Sequence, residues 1–412
     1  MKFLYKVGIV AYSLFLKAAA VFNPKARQFV KGRKNWHQNL ASKIETNARY
    51  LWVHCASLGE FEQGRPLIEA IKEQHPEFRI VLTFFSPSGY EIRKNYEQAD
   101  VISYLPIDTK QNAKVFLNII QPEKVFFIKY EYWYHYIEEL KKRNIPLYMV
   151  SAIFREEQHF FKKTHWGKWY RQMLHKVTYF FIQDKKSASL LQSLGILKFT
   201  ITGDTRFDRV ATIANNAKEM PVIGKFKDDK VLVVAGSTWK PDEDLLAEYF
   251  KNSNTIKIII APHEVNESNL LRIETGFNNI ARLSKVKEEE INKYDVLLVD
   301  SVGLLASIYN YGNIAYIGGG FGVGIHNILE AATFGLPVIF GPNYQKFKEA
   351  VDLQSMGGAF PVSNYHDLKD RLNSLIYNSS NLTAASEICK QYVAQNVGST
   401  QKIVDKVFKL QA

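Results

Sequence analysis

The sequence predicts an α/β protein built from two doubly wound, Rossmann-like domains, and three observations carry the prediction. Short apolar runs alternate with helical segments in two successive strand–helix series. The 412 residues, 46% of them hydrophobic, suffice for two cores of ordinary size. Between the series the pattern breaks, with Asn215, Asn216, Pro221 and Gly224 falling in the stretch 204–230.

The first element is a mostly apolar run, 7–16, between Lys6 and Lys17. It is too short to cross a bilayer alone, which takes about 20 residues. Residues 1–44 hold nine Lys or Arg and no Asp or Glu, within a chain of formal charge +12. The run resembles a signal-peptide core, with Ala18–Ala20 as a cleavage-like site, but Lys17 interrupts that reading. The expectation is an uncleaved helix lying in or dipping into an anionic membrane surface, held by the cations that follow. A partly buried first helix is the alternative.

Strands are expected at 51–56, 80–85, 101–105, 125–128, 147–151, 179–182 and 199–202, with helices such as 62–74, 110–120 and 133–143 between them. The second series gives strands at 231–235, 257–261, 296–299, 314–317, 338–340 and 359–361, then a helical tail from Leu382 to Leu410. The predicted divisions are a basic N-terminal segment 1–44, a first domain 45–210, a linker 211–229, a second domain 230–380 and C-terminal helices 381–412. Two cysteines, Cys55 and Cys389, make no disulfide framework and fit a reducing compartment.

In such folds ligands bind at the C-terminal ends of the strands, in a cleft between the domains. That singles out five loops. The most informative runs from Gly318 to Glu330, after the strand 314–317 and before the strand 338–340. A glycine turn opens backbone N–H groups to an anion, and a helix beginning near Asn327 and stopping at Gly335 would add its positive end. Asn327 and Glu330, three apart, suit ribose hydroxyls better than bare phosphate and so suggest a nucleotide. The turn fits neither GxGxxG nor GxxxxGK[ST], so a nucleotide-linked donor other than a dinucleotide is expected.

Glu60 follows Ser57, Leu58 and Gly59 at the end of the first strand. It reads either as a general base on a substrate hydroxyl or as a complement to a helix dipole. Glu131 follows the strand 125–128, where it could orient a substrate, act as a second acid or base, or pair with Lys129. Ser237 and Thr238 could donate to a phosphate or cap the next helix. His263-Glu264 lacks the second histidine of a zinc HExxH site, so no metal is expected, though His263 remains a candidate donor contact. Lys348 could balance donor charge. The stretch 154–176 interleaves Phe160, Phe161, Trp166, Trp169 and Tyr170 with basic residues. It suits a lipid headgroup contact, single-stranded nucleic acid, or an ordinary helix covering the core.

The blocks Trp52–Glu60, Glu131 with Trp133, Gly203–Asp208, Ala235–Thr238, and Gly318–Glu330 running on to Phe347–Glu349 occur in this order across nearly the whole chain. In them the chain resembles the 3-deoxy-D-manno-octulosonic acid (Kdo) transferases of lipopolysaccharide synthesis. The resemblance implies the GT-B fold and an N-terminal membrane segment. It also implies Glu60 as catalytic base and a CMP-Kdo donor held by Ser237, Thr238, Gly319, Gly320, Asn327 and Glu330. Ser57, Gly59 and Arg155 are expected at the acceptor, and Glu131 in a second catalytic role. The chain departs from the family's pattern at His263, where the family has Arg, at Trp239, where it has His, at Lys129 and Tyr130, which replace an acidic residue and a threonine, and at Ile153, an Arg position with Arg155 nearby. The implied reaction is an inverting, metal-independent transfer of Kdo to a lipid A precursor at the cytoplasmic face of the inner membrane, without a cofactor. Rival readings are another GT-B nucleotide-sugar transferase or epimerase, and a non-enzymatic basic protein binding membrane or nucleic acid. The clustering of charge near residue 1 speaks against a nucleic-acid partner.

Overall fold

In the computed structural model, which describes residues 1–251 and 255–409, the apolar runs form two separate seven-stranded sheets, every pairing parallel. The chain divides into two units, Met1–Arg209 with the stretch from Gly398 onward, and Val210–Val397.

The first unit's strands are β1 (Arg49–Cys55), β2 (Phe78–Phe84), β3 (Val101–Tyr104), β4 (Lys124–Ile128), β5 (Leu147–Ala152), β6 (Tyr179–Ile182) and β7 (Phe199–Ile201). Their order is β3-β2-β1-β4-β5-β6-β7. Strands buried on both faces read as continuous apolar runs, which is why β1, β2, β4 and β5 were legible. The order reverses between β1 and β4, and a doubly wound sheet opens its ligand crevice at such a point. The second unit repeats the plan with β8 (Val231–Thr238), β9 (Ile256–Pro262), β10 (Ile280–Arg282), β11 (Val296–Leu298), β12 (Ile314–Ile317), β13 (Val338–Phe340) and β14 (Ala359–Pro361). Its order is β10-β11-β9-β8-β12-β13-β14, reversing between β8 and β12. The sequence reading missed β10. This three-residue edge strand contains Arg282, whose buried guanidinium is held by Glu267 and Glu274, so it lacks an apolar signature.

The basic segment 1–44 belongs to the first unit. It folds into helices α1 (Lys2–Ala19), α2 (Pro24–Lys31) and α3 (Trp36–Ala41). Tyr5 of α1 donates a hydrogen bond of 2.6 Å to Asp108 and packs against Trp169. Arg33 donates to the carbonyls of Phe29, Phe85 and Leu105, with its guanidinium 3.5 Å from the centre of the Phe29 ring. No residue of α1 is buried, and Phe3, Leu14 and Phe15 are exposed at 74%, 60% and 67%. Among the described residues no helix is long and apolar enough to cross a membrane.

The expected linker 211–229 is mostly helical, containing the end of Arg206–Asn215 and the whole of Pro221–Lys227. The helical tail is divided as well: Ser379–Asn396 lies in the second unit, while Ser399–Phe408 rejoins the first. There Asp208 accepts from the N–H groups of Gly398 and Thr400, and Ile403, Val404 and Val407 enter the core beside Leu67 and Ile71. The aromatic-basic stretch 154–176 is a cover for the core: Phe160 and Trp169 are buried at 5% and 6% exposure, with Phe161, Trp166 and Tyr170 packed at its margin. Its aromatic faces are therefore committed to packing.

Candidate active site

Both switch points carry the loops selected from the sequence. In the first unit, β1 runs into Ser57, the N-cap of the helix α4 (Leu58–Gln74). Glu60 is the third residue of that helix and closes a capping box, its Oε2 accepting from the Ser57 N–H at 3.0 Å and from the Ser57 hydroxyl. The carboxylate therefore caps the helix, as the dipole reading expects, but only one of its oxygens does so. Oε1 has no hydrogen-bond partner among the described residues, and the side chain is half-buried. Gly59 beside it is exposed.

Across the switch point β4 is followed by Lys129, which takes a left-handed φ of 70°. Strain of that kind in a non-glycine residue clusters at binding loops. It redirects the chain so that Glu131 and Trp133 return over the end of β1. Glu131 Oε2 lies 3.4 Å from Nε2 of His54, which is fully buried, and the Trp133 indole N–H donates to that same Nε2 at 3.1 Å. Glu131 thus faces His54. Arg155 is exposed, and the electrostatic neighbours of Tyr130 are Arg155, Glu60, Asp204 and Arg206, which gather both charge signs around that ring. Burial raises the Tyr130 phenol above its ordinary value. One residue of this neighbourhood, His54, was not given a role from sequence; its signal was a polar residue inside an otherwise apolar strand.

In the second unit Ser237 and Thr238 end β8. Ser237 has φ 54°, and a side chain on Gly318 would come within 2.3 Å of its carbonyl oxygen, so a glycine is required there. The Thr238 hydroxyl is buried and donates to Glu243, which also pairs with Arg272. It is a packing residue, and the helix that follows is capped by Trp239 with Asp242 instead. Asp242 is buried as well, and it accepts from the Tyr316 hydroxyl at 2.8 Å, the Trp239 N–H at 2.9 Å and the Gly319 N–H at 3.0 Å. Burial raises its carboxyl above the usual range. The Gly319 amide, expected to face a donor, is consequently taken from within. Within the glycine run 318–324, the N–H groups of Gly320, Phe321 and Val323 make no internal hydrogen bond among the described residues, so these three are its free donors toward an anion.

The helix expected from Asn327 is shorter than its apolar spacing suggested, a single turn Leu329–Ala332. The Asn327 side chain accepts from the Leu329 N–H and donates to Glu330 at 3.1 Å, so the pair lies together but ahead of the helix. One turn adds little macrodipole, which removes the helix end as an anion site. Lys348 is exposed and paired with Asp352 one turn along its own helix, Lys348–Met356.

His263 stands above this turn in a stack of three rings. Its centroid is 4.6 Å from that of Trp239 and 4.5 Å from that of His326, at interplanar angles of 25° and 26°. Trp239 also donates to His326 Nε2 at 3.2 Å. The stack, with Pro241, Phe321, Val323 and Gly324, walls a cavity of about 460 Å³. Burial, and then His263, push the His326 imidazole below its ordinary value. Trp239 and His263, two of the departures noted above, are thus neighbours in space.

Three comparisons bear on this geometry. Residues 33–209 match the model of a family described as 3-deoxy-D-manno-octulosonic-acid transferase (kdotransferase). A 3-deoxy-D-manno-octulosonic acid transferase of Aquifex aeolicus (strain VF5) is 28% identical over 337 residues, covering 79% of this chain and 86% of its own length. One from Haemophilus influenzae is 25% identical over 408 residues, covering 95% and 93%. Among solved structures, UDP-GlcNAc 2-epimerase from Neisseria meningitidis aligns with a TM-score of 0.62 at 16% identity, over 88% of this chain and 100% of that one. Acinetobacter baumannii MurG aligns with 0.55 at 14%, over 88% and 99%. These two likenesses show the fold, the two-sheet GT-B arrangement.

Proposed function

We propose that this chain, a member of the Kdo transferase family and hence a glycosyltransferase, moves Kdo from CMP-Kdo to a hydroxyl of a lipid A precursor. The observation that carries the reading is the state of Glu60. One carboxylate oxygen is anchored on Ser57 and the other is bare, at the sheet's switch point. A base must be held firmly and still have a lone pair free for the proton it takes.

In the proposed step Glu60 Oε1 accepts the proton of the acceptor hydroxyl as that oxygen attacks the anomeric carbon of Kdo. The bond from that carbon to the phosphate oxygen breaks, its electron pair leaves on CMP, and the configuration inverts. The free amides of Gly320, Phe321 and Val323 supply donors for the leaving phosphate in place of a metal. Asn327 and Glu330 remain the candidates for the ribose, and no separate cofactor is needed. Ser57, Gly59 and Arg155 keep their place as acceptor contacts. The exposed apolar side of α1, with the cations of residues 1–44, supports seating on the anionic cytoplasmic surface of the inner membrane.

The test is direct. Purified protein is incubated with a lipid A precursor, Kdo, CTP and a CMP-Kdo synthase, and the acceptor mass is followed. A gain of Kdo that falls at least roughly 100-fold in rate with Glu60→Gln supports both reaction and base. Near-normal transfer by Glu60→Gln rejects the base. No transfer with CMP-Kdo demonstrably present points to another nucleotide-sugar donor.

A further inference from the structure

The imidazole of His54 is fully buried at the end of β1, and one of its nitrogens has more neighbours than it can serve at once. Nδ1 lies 2.9 Å from the Thr83 hydroxyl and 3.2 Å from the Thr83 carbonyl. Nε2 lies 3.1 Å from the Trp133 indole nitrogen and 3.4 Å from Glu131 Oε2. An indole N–H only donates, so its bond requires a lone pair on Nε2 and the ring proton on Nδ1, directed at Thr83. A carboxylate only accepts, so its bond requires a proton on Nε2. The two arrangements exclude one another.

Thr83 can serve both. Its carbonyl accepts from Nδ1–H in the first arrangement, and its hydroxyl donates to bare Nδ1 in the second. In either arrangement the hydroxyl oxygen keeps a lone pair for the indole N–H of Trp52, which reaches it at 2.7 Å. Trp133 is packed over Phe85 with ring centroids 4.4 Å apart, so its indole is held in place as the competitor for Nε2.

We propose that His54 is a positioning residue for Glu131. In the working arrangement Nε2–H holds the Glu131 carboxylate in register beside the acceptor, and Trp133 holds the same nitrogen in the resting one. The net proton count of the cluster is the same in the two arrangements: Nδ1 gives up its proton to solvent as Nε2 takes one from solvent, between two tautomers of a neutral ring with Thr83 reversing its role. The inference rests on the Kdo transferase reading only for its kinetic consequence; the pairing itself is testable without turnover.

The first measurement uses protein labelled with nitrogen-15 at histidine, with His54→Gln identifying the His54 resonances. Glu131→Gln and Trp133→Phe should shift the His54 nitrogens in opposite directions, toward the Nδ1–H and the Nε2–H tautomer respectively. Unchanged shifts in Glu131→Gln overturn the proposal. The second measurement is kinetic. His54→Phe should lower kcat for Kdo transfer roughly 100-fold, a loss typical of a misplaced group, while KM for CMP-Kdo stays within about twofold and His54→Gln restores part of the rate. Because the two residues act as one device, Glu131→Gln should cost little more in the His54→Phe background. Losses that multiply, or that merely follow a falling melting temperature, overturn it. Should His54→Phe fail to fold, His54→Gln and Trp133→Phe carry the same comparison. A wild-type protein without Kdo transfer counts against the Kdo reading alone, since the nitrogen shifts still decide the pairing.

Discussion

Glu60 and Asp242 occupy the same local position, the third residue of the helix that follows the first strand of each sheet, and both accept from the backbone N–H of their helix's N-cap residue. Their surroundings give them opposite tasks. Asp242 is only 1% exposed and engages both oxygens, so it ties the glycine turn to the start of the helix Lys240–Phe250. Glu60 keeps one oxygen open. Asp242→Ala would strand the Tyr316 hydroxyl and two amides, costing about 3 kcal/mol or more, read as a lower melting temperature and weaker donor binding. Asp108 offers a pH test. It is 1% exposed and accepts from Tyr5 and from the amides of His135 and Tyr136, yet burial outweighs these donors and pushes its carboxyl up to about 6 from 3.8. The folded state therefore favours the protonated form. That contribution is fully present below about pH 4 and is lost as pH rises through about 6. In paired melts, wild type should lose about 3 kcal/mol relative to Asp108→Asn between pH 4 and pH 7.

At the scale of elements, the two strand-end loops of the second unit are fixed by close backbone approach. A Cβ on Gly318 meets backbone at 2.3 Å, whereas one on Gly322 has its nearest neighbour at 3.5 Å. Gly318→Ala should therefore destabilise by about 2 kcal/mol or more, and Gly322→Ala should stay within about 0.5 kcal/mol; chemical denaturation of the two proteins compares them. The one-turn helix Leu329–Ala332 teaches the same lesson. Ile325, Ile328 and Leu329 are all buried, and drawing them into the core shapes the chain before a helix can start.

For the molecule as a whole, helix α1 joins two properties: Tyr5 fastens it to the first unit, and a row of large apolar side chains faces away from it. In vesicle flotation, Phe15→Asp should weaken binding to anionic vesicles at least about tenfold, since a buried phenylalanine contributes about 1.5–3 kcal/mol, and added salt should weaken the wild type. Equal binding to neutral vesicles would reject the electrostatic part. Most of the strands, the two-unit plan and the switch-point loops could be read from the sequence, because a strand buried on both faces is written in consecutive residues such as Val125–Ile128. The resemblance likewise followed from short local motifs. Only the tertiary structure decided which polar atoms remain free. The Gly319 amide is taken by Asp242, 77 positions away, and His54 meets Trp133 from 79 positions away. Hydrogen-bond allocation depends on which distant residue arrives first at a donor, and no local pattern records that. Hence the loops of the site were legible in advance, while the bare oxygen of Glu60, the free amides of the glycine turn and the contested nitrogen of His54 were not.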